Sequence, residues 1–346
     1  NGQLYKINSF EFYRYEDIIK KEDDAGYDKT AFEKMLEIKG DSDHTKLIDM
    51  LTDLNDYSIG IEDVLKEHFD EENIVYWMAF QILMGNVDTQ NRNVYLYSPL
   101  NSDIWYFIAW DNDGCLMRPE YELRNFSDQN SWEKGISNYW GNILFQRCLK
   151  SRSFREKLND AILDLREYLN KDMLISKIES YKNVLKPYLY SMPDAEYEPL
   201  TSEQYDQIVA SLPDEIEKNY QLYLESLETP MPFYIGVPTI DGDKLKFNWD
   251  VSYDLDAEDI TYSVEVARDY LFQDVIYHNT TLTVPETEMD LPEAGQYFVR
   301  VRATNTSGKT QDAFDYYVTD EGKHYGMKCF YITEDSTVEE DNYEEG

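Results

Sequence analysis

Asp88 and Asn93 stand five residues apart in Gly85-Asn86-Val87-Asp88-Thr89-Gln90-Asn91-Arg92-Asn93-Val94-Tyr95-Leu96-Tyr97. A second acid, Asp111, ends the apolar run Trp105-Tyr106-Phe107-Ile108-Ala109-Trp110. An acid, an amide five residues on and a later acid are what a phosphoryl-transfer site uses for a base and two metal ligands. Alone, Asp88 reads as an ordinary turn aspartate after a glycine-terminated helix. The combination points to chemistry. Asn91 reads as a loop stabiliser, and Arg92 either pairs with a loop carboxylate or contacts substrate.

Two kinds of element must position these groups. Ile74, Tyr76, Trp77, Phe80, Leu83 and Met84 follow helical spacing with few polar interruptions, so a nearly all-round buried helix is expected, stopped by Gly85. Asn93–Tyr97 and Ile104–Ala109, separated by Ser98-Pro99-Leu100-Asn101-Ser102, read as a hairpin that carries Asn93 at its start and Asp111 just past its end. Between Asp28 and Met50, helices broken around Gly40 are expected. Asn138 to Leu227 reads as helical, with a last helix from Ser211 that has Pro213 in its first turn.

Sixty-nine acidic residues against 32 basic ones give a net charge of −37 over 346 residues. Such a field opposes nucleic acid and anionic membrane. It also opposes a nucleotide triphosphate unless divalent cations screen it, so Mg or Mn is required by any nucleotide reading. No apolar stretch is long enough to span a bilayer. Cys115, Cys148 and Cys329 are widely spaced and read as buried thiols, and the four histidines have no mutual ligand spacing. Asp111-Asn112-Asp113-Gly114 lacks the fifth and sixth positions of a calcium loop, where Cys115 and Leu116 stand. The 30 tyrosines suit an extracellular or carbohydrate-rich setting.

After Thr229-Pro230-Met231-Pro232 the period changes. Lys244–Trp249, Thr261–Ala267, Val275–Tyr277, Thr281–Val284 and Tyr297–Ala303 read as short strands of an all-β sandwich. Asp254, Asp256, Glu258 and Asp259 there read as a solvated acidic loop, with a calcium site as the alternative. The run Leu291-Pro292-Glu293-Ala294-Gly295-Gln296-Tyr297-Phe298-Val299-Arg300-Val301-Arg302-Ala303 resembles the fibronectin type III family, with Tyr297 as its tyrosine corner and Trp249 as its core tryptophan. Thr306-Ser307-Gly308-Lys309 resembles the turn before that family's last strand. Residues 320–346 are expected to form a separate acidic segment, disordered over its last ten or so residues.

Residues 72–97 and 105–113 resemble the spore coat protein H (CotH) kinase family, and the likeness continues through Asn142-Ile143-Leu144-Phe145 and Phe154-Arg155. The resemblance implies a multidomain protein. Its first part, residues 1–228, would be the α+β, mainly helical C-terminal lobe of an atypical protein kinase, with a small β-hairpin. The fibronectin type III sandwich would follow over 229–319. It further implies Asp88 as catalytic base, Asn93 and Asp111 as the residues that hold ATP through Mg or Mn, and Asp113 as an accessory metal acid. In the family a β-rich lobe with the phosphate-binding Lys and its Glu partner ends near Gly-x-Leu-Tyr-Lys. Gly2-Gln3-Leu4-Tyr5-Lys6 resembles that ending, so most of the lobe is expected to be missing and this chain alone inactive. The implied setting is a secreted or cell-surface bacterial protein whose full-length form phosphorylates Ser or Thr on a surface or spore-coat protein, while the sandwich contacts protein or carbohydrate. The alternative is a non-catalytic kinase-like scaffold or adhesion protein, and a third reading has a small molecule or sugar as acceptor.

Overall fold

The computed structural model describes residues 2–123, 132–320 and 322–340. It divides into two compact units, Asn1–Phe126 with Asn138–Tyr223, and Ser127–Ser137 with Leu224–Gly346. The first unit contains, in order, β1 (Gly2–Ile7), α1 (Lys29–Met35), β2 (Leu36–Ile38), α2 (Thr45–Asn55), α3 (Ile61–His68), α4 (Glu71–Met84), β3 (Val94–Pro99), β4 (Tyr106–Ala109), α5 (Arg118–Leu123), α6 (Ile143–Lys150), α7 (Arg152–Tyr168) and α8 (Lys171–Leu189). The division falls within α9 (Ser202–Glu228).

The hairpin expected around the site is half of a larger sheet. Strands β2, β1, β3 and β4 form one antiparallel sheet in that order, and β1 pairs with β3 from Gly2↔Pro99 to Ile7↔Val94. Alternation along β1 and β3 buries Tyr5, Ile7, Val94 and Leu96 while Lys6, Tyr95 and Tyr97 stay partly open. Strand β2 replaces part of the helix expected there. Gly40 follows it so closely against β1 that a Cβ would lie 2.4 Å from the Gly2 carbonyl. Helix α9 begins at Ser202 rather than Ser211, so Pro213 lies in its interior and removes one i→i−4 bond there.

Helix α4 is the support of this unit. Ile74, Met78, Ala79 and Leu83 are fully buried, and the helix packs against α7 and β4. Asn73, on its first turns, accepts from Phe107 N at 2.6 Å and donates to Phe107 O at 3.1 Å. Its amide thereby completes the open edge of β4. Beside the sheet, His44 stacks on Phe32 at 4.2 Å and bonds through Nδ1 to the Tyr5 hydroxyl at 2.7 Å.

The second unit contains β5 (Thr239–Asp241), β6 (Lys244–Asn248), β7 (Ile260–Ala267), β8 (Val275–Leu282), β9 (Glu286–Asp290), β10 (Gly295–Asn305), β11 (Thr310–Asp312), β12 (Tyr316–Thr319), β13 (Gly322–Tyr325), β14 (Met327–Ile332) and β15 (Val338–Glu340). A three-stranded sheet, β5-β6-β9, and a six-stranded one, β15-β14-β10-β7-β8 with β11 also on β10, share a core that includes Leu245, Phe247, Trp249, Val264, Tyr297, Val299 and Phe330. The two strands expected at 275–277 and 281–284 are one, β8. The segment beyond 319 is not separate either. Arg302 pairs with Asp312 and Arg300 with Met327, so β11 and β14 continue one strand line along β10. Residues 313–326 leave and rejoin that line as an excursion containing the β12–β13 hairpin, and β15 then pairs with β14. The expected disorder at the end falls largely on residues 341–346, outside the described residues.

Cys115, Cys148 and Cys329 are thiols rather than disulfide partners. Among the described residues no helix is long and apolar enough to cross a membrane.

Burial holds the His44 pKa below its usual 6.5, against the weaker upward pull of Glu22, Asp43 and Asp41. The unfolded chain takes up this proton near 6.5 while the folded chain resists it, so the stabilisation is complete above that pH and is lost as pH falls below it. Urea midpoints should therefore decline between about pH 7 and 5.5. In His44→Phe that part of the slope should disappear.

Candidate functional site

Helix α4 ends at Gly85, whose φ of 61° turns the chain into the Asp88 loop. A side chain at Gly85 would be strained by that φ, and its Cβ would lie 2.6 Å from Asn219 Nδ2. Asn219, on α9, donates to the Leu83 carbonyl at 2.9 Å and accepts from Arg118 at 2.7 Å. Arg118 also pairs with Glu215, which is buried. The end of α4 is thus capped from α9, and the same network fixes the residue that follows the Asp111 turn.

Asp88 lies in a single 3-10 turn, Val87–Thr89, capped by Asn86. Its Oδ2 accepts from Asn93 Nδ2 at 2.7 Å, and its Oδ1 pairs with Arg92 Nε at 2.7 Å. A carboxylate only accepts, so the nitrogen of the Asn93 amide must face it. The amide oxygen is thereby turned away as a free donor atom. Asn91 is the loop stabiliser expected, donating to Glu11 at 2.6 Å. From beneath, Asn138 donates to Val87 O, Asn142 to Gln90 O, and the Thr89 and Tyr139 hydroxyls meet at 3.1 Å.

Asp111 reaches the same corner through the sheet. Val94 pairs with Ala109, so the chain positions just outside the two strands, Asn93 and Trp110, leave the sheet side by side. Asn93 and Asp111 both have left-handed backbone, with φ of 57° and 55°. Asn and Asp are among the residue types that tolerate it. The turn after Asp111 is tied to the Asp88 loop by amides. Asn112 Oδ1 accepts from Gln81 at 3.1 Å and from Asn86 at 3.3 Å, while Asn86 also donates to Gln81 at 3.0 Å. Contact is close enough that a Cβ on Gly114 would sit 2.8 Å from Asn86 Oδ1 and 3.8 Å from Asp88 Cβ. The Cys115 thiol, raised to about 12 by burial, is not a nucleophile at neutral pH.

Asp88, Asn93 and Asp111 therefore share one corner. Asp113 is exposed, and among the described residues no group of three or more His, Cys, Asp or Glu side chains is arranged to hold a metal. The Asn93 amide oxygen and the Asp111 carboxylate are oxygen donors of the type Mg takes, an ion that uses one or two protein oxygens and completes its shell with phosphate and water. In the second unit Asp254 accepts from Asn305, and Glu258 accepts from Thr306 and Ser307. Two of the four acids of that loop are thus taken up by the chain's own donors.

Sequence reasoning missed the supporting amides, Gln81, Asn86, Asn112 and Asn138. Gln81 did carry a signal, as a polar residue inside an apolar helix. It also missed Trp110 and Tyr95, whose rings lie 5.2 Å apart at the site's edge, with Trp110 45% exposed.

The family profile described as CotH kinase protein matches residues 1–223, more than half of the chain. No curated protein matches it.

Asn86 bonds Gln81 on α4 and Asn112 in the turn after Asp111, and it caps the Asp88 turn. Asn86→Ala should leave the buried Gln81 Oε1 without this donor and cost about 1–3 kcal/mol. Chemical denaturation should show that loss, and amide exchange should quicken at residues 86–89 and 111–115 ahead of the rest of the unit.

Proposed function

Because the chain belongs to the CotH kinase family, we propose that it is the catalytic-lobe portion of an atypical protein kinase, whose full-length form transfers the γ-phosphoryl group of ATP to a serine or threonine of a surface protein. One observation carries the reading. The Asp88 carboxylate holds the Asn93 amide nitrogen, which turns the amide oxygen outward at the corner Asp111 also occupies.

Asp88 orients the acceptor hydroxyl and takes its proton as the new O–P bond forms and the bond to the ADP leaving oxygen breaks. Asn93 and Asp111 hold Mg or Mn, which when bound neutralises phosphate charge that the chain's net −37 would repel. Trp110 and Tyr95 offer a half-open aromatic surface beside Asn93 on which a nucleobase can stack. Tyr95 neighbours Lys6 across the sheet.

The β-rich unit supports a fibronectin type III-like reading of roughly residues 233–332. Tyr297 donates to the Glu293 carbonyl at 2.7 Å, four residues upstream, as a tyrosine corner does, and Trp249 packs in the core between the sheets. Attachment of such a module suits a secreted or cell-surface protein, with the sandwich contacting protein or carbohydrate.

The test uses the full-length protein. Asp111→Asn should lose Mg- or Mn-dependent nucleotide binding. Asp88→Asn should bind nucleotide no more weakly than the wild type and lose roughly 10²–10⁴-fold in transfer to a serine-containing acceptor. Equal cation-dependent binding by wild type and Asp111→Asn would reject the metal role. Normal binding without transfer in the wild type would favour the non-catalytic scaffold instead.

A further inference from the structure

Asp88 is held at both oxygens, and the two holders differ in mobility. Asn93 is fixed at the foot of β3, where Val94 is paired on both sides, to Ile7 and to Ala109. Arg92 is a long side chain, 52% exposed, whose hydrogen-bonding or ionic partner among the described residues is Asp88. While Arg92 Nε sits on Oδ1 and Asn93 on Oδ2, neither oxygen is open to an acceptor hydroxyl. One holder has to let go, and Arg92 is the one that can. Exposed ion pairs are weak, while a guanidinium binds phosphate oxygens through two parallel hydrogen bonds. Arg118, the other arginine of these loops, is committed to Glu215 and Asn219.

We propose that Arg92 is a phosphate-operated latch on Asp88. In the free protein its guanidinium holds the carboxylate; the terminal phosphate of an incoming nucleoside triphosphate draws it off. The base is then uncovered by the same event that delivers the group to be transferred. The latch imposes an order, nucleotide before acceptor, and it places the Arg92 charge on the phosphoryl oxygens where transfer needs a cation. It rests on the phosphoryl-transfer reading given above.

The test is calorimetric titration of the full-length protein with Mg plus either a non-hydrolysable ATP analogue or ADP. Wild type, Arg92→Gln, Arg92→Lys, Asp88→Asn and the Asp88→Asn/Arg92→Gln double variant are compared. Arg92→Gln should bind the triphosphate about ten-fold more weakly and ADP unchanged, the size expected for one lost charged hydrogen-bonding group. Arg92→Lys, which keeps the charge and loses the fork, should fall between. Asp88→Asn should bind the triphosphate about two- to five-fold more tightly, because the latch no longer competes for Arg92. In the Arg92→Gln background that gain should shrink towards none.

Arg92→Gln that binds both nucleotides as the wild type does would overturn the latch and leave phosphoryl transfer standing, as would an equal gain from Asp88→Asn in both backgrounds. A wild type that binds neither nucleotide would overturn the phosphoryl-transfer reading and the latch together.

Discussion

Helix α4 carries two side-chain amides, half-buried Asn73 and fully buried Gln81, and each has found its partners on a different segment. An amide buried without a partner costs about 1–3 kcal/mol, so Asn73 and Gln81 constrain whatever they touch. Asn73 takes both backbone groups of Phe107 in β4, and Gln81 takes Asn112, just past Asp111. Eight residues of helix separate them, about 12 Å of rigid spacing. The strand leading to Asp111 is therefore pinned at one point and the turn beyond it at another. Asn86 closes the arrangement from the Asp88 side.

Much of this was visible in the sequence, and the limit has a physical origin. The apolar run ending at Gly85 sets helix α4, and the aromatic and β-branched content of 93–97 and 104–109 sets the hairpin, because both signals are local. The pairing of β1 with β3 is not local: it joins residues 2–7 to 94–99, and no periodicity within either segment names the other. Gln81 could be recognised as out of place in its helix, but not that Asn86 and Asn112 answer it. Arg92 read as the partner of a loop carboxylate ahead of a substrate contact, but the sequence did not name the partner, which is Asp88 itself.

The second unit shows the same limit on a larger scale. From the sequence, the sandwich ends near 319, where the resemblance to a fibronectin type III module stops. The sheet is completed instead by β14, on the far side of a fourteen-position excursion spanning residues 313–326. What closes the neck is long-range: Gly326, at φ 78°, brings its Cα close to Asp312, and the Asp315 carboxylate accepts from Ile235 N at 2.7 Å while facing Lys328 at 3.3 Å. Strand continuity is a property of the register along β10, which the sequence of β14 alone does not express.

Asn93 and Asp111 each meet a backbone demand besides the metal-holding role proposed for them. Both stand where a strand leaves the sheet in left-handed backbone, a conformation that Asn and Asp adopt at little cost and that a β-branched residue would resist. Backbone demand alone could therefore explain an amide at one and a carboxylate at the other. It does not explain Asp88, whose own backbone, at φ −93° and ψ 22°, needs no special residue type. Nor does it explain why Asp88 spends one oxygen on Asn93 and the other on an exposed arginine. A turn needs an aspartate to cap or to bend, and here Asn86 already does the capping. Among the described residues the carboxylate of Asp88 is thus bonded to Asn93 and Arg92, a disposition that agrees with the base role proposed for it.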